Sequence, residues 1–133
     1  YEIPDYALRG EGEMFFRPMV MNNLYNQVRS YIWIDTSVEN RKYGFKDGCS
    51  RLVELDETIQ LPAVYKLVSA AKDETMQGVG ADFEGSLVQK GNKVLLHNRL
   101  ALKKRVYEAS DWESFRNAVN AHKAYGEYLV IKK

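Results

Sequence analysis

The chain has 133 residues, 45% of them hydrophobic, which is room for one domain around one core and not for two. Its 19 Lys and Arg stand against 18 Asp and Glu, a net charge of +1. That balance lacks the basic face that nucleic-acid binding requires, and no apolar run reaches the roughly 18 residues that would span a membrane as a helix.

The opening "YEIPDYALRG" has neither a basic start nor an apolar core, so it does not read as a signal peptide. Residues 1–11 read as a loosely packed leading segment of a single domain, 1–133. "GEMFFRPMVM" (12–21) is rich in strand formers around Pro18, which implies an edge strand or a bulge. "NNLYNQ" (22–27) reads as loop or a short turn of helix. "RSYIWIDTSV" (29–38) reads as a strand with Tyr31, Trp33 and Asp35 on one face and Ile32 and Ile34 on the other. "ENRKYGF" is a connection or a short strand.

"CSRLVELDETIQLP" (49–62) alternates with period two. Val53, Leu55, Ile59 and Leu61 share one face; Leu52, Glu54, Asp56, Thr58 and Gln60 share the other. "AVYKLVSA" (63–70) predicts another strand, ended by the polar "AKDETMQG". "ADFEGSLVQ" and "KVLLHNRLALKKRVY" flank "KGN" (90–92), a hairpin signal in which Gly91-Asn92 supplies positive φ. The second arm directs Val94, Leu96, Leu100, Leu102 and Val106 inward, and His97, Arg99, Lys103 and Arg105 outward. "SDWESFRNAVNAHKAYG" (110–126) predicts the one helix. Ser110 and Glu113 have capping-box spacing. Phe115, Ala118, Val119, His122 and Tyr125 form an apolar-leaning stripe, and Gly126 can close the C-terminus. "EYLVIKK" (127–133) is a final strand. The pattern predicts a mainly β protein: an antiparallel β-sandwich of about seven to eight strands, with one C-terminal helix before the last strand.

The groups able to do chemistry are few. Cys49, the lone cysteine, follows Asp47-Gly48. A helix after it would activate its thiolate, but a strand pattern follows. His97 and His122 are the only histidines, and no CxxC or HxxxH spacing exists, so neither a metal nor a cofactor is expected. Cys49, His97 and Asp111 occur in the chain order of a thiol triad; a triad is defined by geometry, however, and Asp111 is explained as a first-turn carboxylate. Glu54, Asp56 and Glu57 are expected on a solvated strand face rather than as paired catalytic acids. Tyr31, Trp33, Asp35, Tyr43 and Tyr25 cluster in one region. They are either a surface for a protein or glycan partner or part of the core.

Taken together, "FFRPMVMNNLYN", "RKYGF", "ELDETIQLPAVYKL", "GNKVLLHNRLAL" and "YEASDWESFRNAVNAHKAYGEYLVIKK" make the chain resemble the C-terminal domain of bacterial transglutaminase-like proteins. Those proteins carry an N-terminal β-domain, a transglutaminase-like core and a tail of unknown function. The chain departs from the tail's pattern at "RKYGF", where a proline usually follows the tyrosine, and at a longer, more aromatic 26–40. The resemblance implies a non-catalytic accessory module with the upstream domain of the same chain as partner, in a periplasmic or cell-envelope protein. A carbohydrate-binding module using Tyr31 and Trp33 is the second expectation. A thiol hydrolase or acyltransferase at Cys49 is the third.

Overall fold

The computed structural model describes residues 6–21, 35–69 and 72–133. Among them the chain is mainly β, with ten strands, all antiparallel, and one helix before the last strand. One sheet has the order β1 (Leu8–Arg9), β2 (Glu13–Phe16), β10 (Leu129–Lys132), β5 (Lys66–Leu67). A second has the order β4 (Arg51–Gln60), β8 (Lys93–Leu102), β7 (Ala81–Lys90), β6 (Lys72–Gln77). A two-strand pair joins β3 (Phe45–Lys46) to β9 (Val106–Tyr107). The helix α1 (Trp112–Ala124) follows a 3₁₀ turn at Ala109–Asp111 and packs on β7 and β8.

The two long central strands form because their sequences alternate. Val94, Leu96, Leu100 and Leu102 of β8 face the core, as do Ala81, Phe83 and Leu87 of β7. The connection is the two-residue turn Gly91-Asn92, with Lys90 opposite Lys93 and Gly91 at φ +62°. β4 alternates as its sequence predicts, every second residue turned toward the interior. α1 lays its whole stripe on this sheet: Phe115, Ala118, Val119, His122 and Tyr125 are all buried, joined by Trp112 and Ala121. Phe16, Leu129 and Ile131 of the first sheet belong to the same core.

Several elements differ from their sequence pattern. β2 stops at Phe16, before Arg17-Pro18, and residues 19–21 are helical; proline has no N–H to continue a ladder. Among the described residues 63–69 only the two-residue β5 is strand, because Ala63 and Val64 form a turn after Pro62. The polar stretch 72–77 is a strand, β6, paired with β7 from Lys72↔Leu87 to Gln77↔Asp82. It is an edge strand with mostly exposed side chains, so it has no apolar alternation to announce it. Val106 is 62% exposed rather than inward, because β8 ends at Leu102 and the chain turns before β9, which buries Tyr107 instead. The helix cap is also not Ser110. The carboxylate of Asp111 accepts the backbone N–H of Glu108 at 2.9 Å and two contacts of 2.8 Å from Lys104 Nζ.

Candidate functional site

Of the predicted recognition residues, Tyr31 and Trp33 lie outside the described residues, as does Tyr25. Asp35 and Tyr43 fall on a segment that runs along the start of α1. Two hydrogen bonds clamp that segment: Trp112 Nε1 donates to Val38 O at 3.1 Å, and Arg116 Nε donates to Thr36 O at 3.0 Å. Arg41 adds a third hold, its guanidinium 4.3 Å from the Trp112 ring centre and 5.0 Å from that of Phe45. Asp35 turns its carboxylate back onto Ser37, whose backbone N–H it accepts at 2.9 Å. The Ser37 hydrogen bonds and the nearby Arg41 charge hold the Asp35 carboxyl below its ordinary range. Tyr43 stands out at 82% exposure. Arg41 and Trp112 anchor this segment, and neither stands among the residues that composition marks for recognition. The signal for Trp112 was its i, i+3 spacing from Phe115 on the buried stripe.

The three letters of a thiol triad are kept apart. Cys49 is exposed in the loop between β3 and β4. Its neighbours Asp47 and Arg51 form a partly buried ion pair, with Arg51 Nη2 at 2.9 and 3.0 Å from the two carboxylate oxygens. Arg51 pairs with Leu102, and His97 lies five residues further along β8, roughly 17 Å at the rise of a strand. Asp111 is 5% exposed and held by Lys104. The Lys104 hydrogen bonds, with the Glu108 N–H, lower its pKa.

His97 has a different companion. Its Nδ1 lies 2.8 Å from Asp56 Oδ1 on β4, while Ser86 of β7 sits across from it on the other side. Asp, His and Ser thus share one row on the outer face of the second sheet. The row lacks the rest of a hydrolase. β7 and β8 are central strands whose N–H groups are engaged in ladders with neighbours on both sides, so none is left to point at a developing oxyanion. The Asp56 side chain is 79% exposed, in water rather than in a cleft. Glu54 lies on the same solvated face. Glu57 does not: its carboxylate accepts the N–H groups of Val20 at 3.3 Å and Met21 at 3.1 Å, fastening residues 18–21 to the second sheet.

His122 is fully buried. Its Nδ1 lies 2.6 Å from Asn98 Oδ1, and burial pushes its pKa down to about 4. Among the described residues no group of three or more His, Cys, Asp or Glu side chains is placed to hold a metal. No described helix is long and apolar enough to cross a membrane.

A shallow cleft of about 400 Å³ lies between the 78–80 turn and the start of α1, with Met76, Val79, Ser110, Glu113 and Asn117 among its walls. It holds one carboxylate, Glu113, and two serine hydroxyls, but no aromatic ring and no cation. Its Ser114 hydroxyl is already engaged, accepting from Gly80 N–H and donating to Asp111 O. Neither acid–base pairing nor stacking on a sugar can be built from those walls.

Fold and surface together define a small antiparallel β-domain with one docked helix. The chain belongs to the family described as Domain of Unknown Function with solved-structure structure (DUF3858), whose model matches residues 12–130. No curated protein matches it. It is similar in fold to a crystal structure of "a putative protease from Parabacteroides distasonis ATCC 8503", with a TM-score of 0.61 and 13% identity over 72% of this chain. The chain spans 19% of the length of that structure.

Proposed function

We propose that the chain is a non-catalytic accessory domain of a larger, transglutaminase-like protein of the cell envelope, and that it works by docking against another part of that protein. The observation that carries this reading is the disposition of its reactive side chains. Cys49 sits in an exposed loop, His97 is paired with Asp56 on a flat sheet face, and Asp111 is enclosed by Lys104 and the Glu108 N–H. Among the described residues, these three side chains do not come together, and each pairing that Asp111 and His97 make is accounted for by the fold. The similar solved structure supports the reading from another side. There the fold makes up only 19% of a chain named as a protease, which leaves ample room for a separate catalytic domain.

The reading frame around the chain is the first test. A Cys-His-Asp domain upstream is expected, and a frame holding this domain alone would overturn the proposal. The second test is a Cys49→Ala, His97→Ala double variant of the longest polypeptide that carries the domain. Both positions are at the surface, so folding should persist. Amidase or transamidase activity should stay within about twofold of the parent, and a loss of a hundredfold or more, the usual scale for a removed nucleophile or base, would sink the idea.

A further inference from the structure

The two four-stranded sheets differ in the middle of their outer faces. On the second sheet the central rows read Glu54–Arg99–Glu84–Thr75 and Asp56–His97–Ser86–Asp73, between the rows Leu52–Ala101–Asp82 and Thr58–Leu95–Val88, so its middle is polar, as expected of a sheet whose outside meets water. On the first sheet, register and parity put a different row outside. Met14, Phe16, Leu129, Ile131 and Leu67 turn to the core. Their alternates therefore turn out, and the pairings Leu8↔Phe15 and Phe15↔Val130 place those three side by side. Val68 extends the row, since it follows β5 and donates its N–H to Val130 O at 2.8 Å. Leu8 is 61% exposed and Val68 50%. Tyr128, 51% exposed, continues the face one row along, with Arg17 over its ring at 4.4 Å. An apolar row crossing all four strands, about 14 Å wide at the ordinary strand spacing, is more than single scattered apolar residues and marks an interaction surface.

We infer that this face is where the domain docks onto a neighbouring domain of the same polypeptide, one that presents an apolar surface edged with carboxylates. The inference rests on the accessory-domain reading above. Two observations choose this occupant. Among the described residues on this side of the sheet, three cations, Arg17, Lys66 and Lys132, and one carboxylate, Glu13, which is paired with Lys132, flank the row. A second copy of the chain meeting face to face would set that positive rim against itself, whereas an acidic rim would complement it. The solved structure of similar fold is also about five times as long as the matched part, so in that protein the fold is covalently joined to further polypeptide. Joined domains meet at high effective concentration, which lets a modest apolar face suffice.

The test is an NMR titration of the isotope-labelled 133-residue chain with the polypeptide encoded immediately upstream in its reading frame. Shifts are expected to concentrate at Leu8, Phe15, Val68, Tyr128 and Val130. A Leu8→Glu, Val68→Glu double variant should bind at least tenfold more weakly while keeping the parent's spectrum and melting temperature, because both side chains are already in water. Thr58→Glu, on the outer face of the other sheet, should bind as the parent does. Binding that shifts other surfaces and ignores the double variant overturns the face but leaves the accessory role standing. An upstream polypeptide that does not bind at millimolar concentration overturns both. A dimer of the chain alone in sedimentation, abolished by the double variant, overturns the occupant.

Discussion

His122 and Asn98 meet at 2.6 Å in the interior, where α1 lies on β8, and neither side chain reaches water. With the ring neutral, Nδ1–H donates to the Asn98 carbonyl. The pair orients the helix on the sheet, and Tyr125 repeats the device three residues later by donating its hydroxyl to Gly85 O at 2.9 Å. Protonating the buried ring would place a charge in the core, so its folded pKa is near 4 against 6.5 in the unfolded chain.

The sign of the pH effect follows. Between pH 6.5 and 4 the unfolded chain holds a proton at His122 that the folded chain does not, so stability falls as the pH drops through that window. The total is about 3 kcal/mol for a shift of that size. The pKa values of Asp35, Asp82 and Asp111 are lowered by their hydrogen bonds. The stability those carboxylates contribute is present above the unfolded value of 3.8 and is lost below it. Urea unfolding across pH 7 to 4.5 should show a declining midpoint for the parent and a flatter one for His122→Gln. Equal slopes would contradict the assignment.

The start of the helix separates two residues that sequence alone confuses. Ser110 is exposed, while Asp111 binds both Lys104 and the Glu108 N–H. Ser110→Ala should leave stability within about 0.5 kcal/mol of the parent. Asp111→Ala should lower the melting temperature clearly, and Asp111→Asn should fall between, keeping an acceptor but losing the charge. Thermal melts of the three variants side by side decide it; a Ser110→Ala loss as large as that of Asp111→Ala would restore the serine cap.

Phe115 stands at the centre of an aromatic cluster, 5.0 Å from the ring centres of both Phe45 and Tyr107 and 5.9 Å from that of Trp112. Truncation to Ala should cost about 3–5 kcal/mol and loosen the 35–45 segment, since Trp112 and Arg41 hold it. Chemical denaturation gives the first quantity and iodide quenching of Trp112, measured in a Trp33→Phe background, gives the second. An unchanged denaturation midpoint would show that the helix is not docked.

Gly85 is required by close approach rather than by an unusual backbone angle. An added Cβ would stand 2.6 Å from Phe83 Cζ and 2.7 Å from Tyr125 Cζ. Gly85→Ala should therefore destabilise by about 1–3 kcal/mol through overpacking, read from denaturant unfolding; a neutral result would mean that the Tyr125 ring can step aside at little cost.

What could be read from the sequence follows from which signals are local. The β4 alternation, the Gly91-Asn92 hairpin and the stripe from Phe115 to Tyr125 are each written within some twenty residues, and all three are present. β6 was missed because an edge strand with exposed side chains carries no apolar period. Ser110 fits the cap spacing with Glu113, but the turn before α1 is closed by the Asp111 carboxylate on the Glu108 N–H, and Lys104, seven residues earlier, holds that carboxylate in place. The apolar row was invisible for a stronger reason. Leu8 and Phe15, Val68, and Val130 come from three distant parts of the chain, and only the β1–β2, β2–β10 and β10–β5 pairings assemble them. Of the recognition residues expected from composition, Asp35 and Tyr43 are exposed but belong to a segment held by α1, and no signal in their own neighbourhood revealed that hold.

Hydroxyl-radical footprinting of the 133-residue chain, alone and within the longest polypeptide that contains it, measures the docking claim most directly. Labelling of Leu8, Phe15 and Tyr128 should fall severalfold in the longer polypeptide, while Tyr43, Leu52 and Val106, exposed elsewhere on the surface, should label equally in both. Equal labelling of Leu8, Phe15 and Tyr128 in the two, or protection confined to the Asp56–His97 face, would contradict the account.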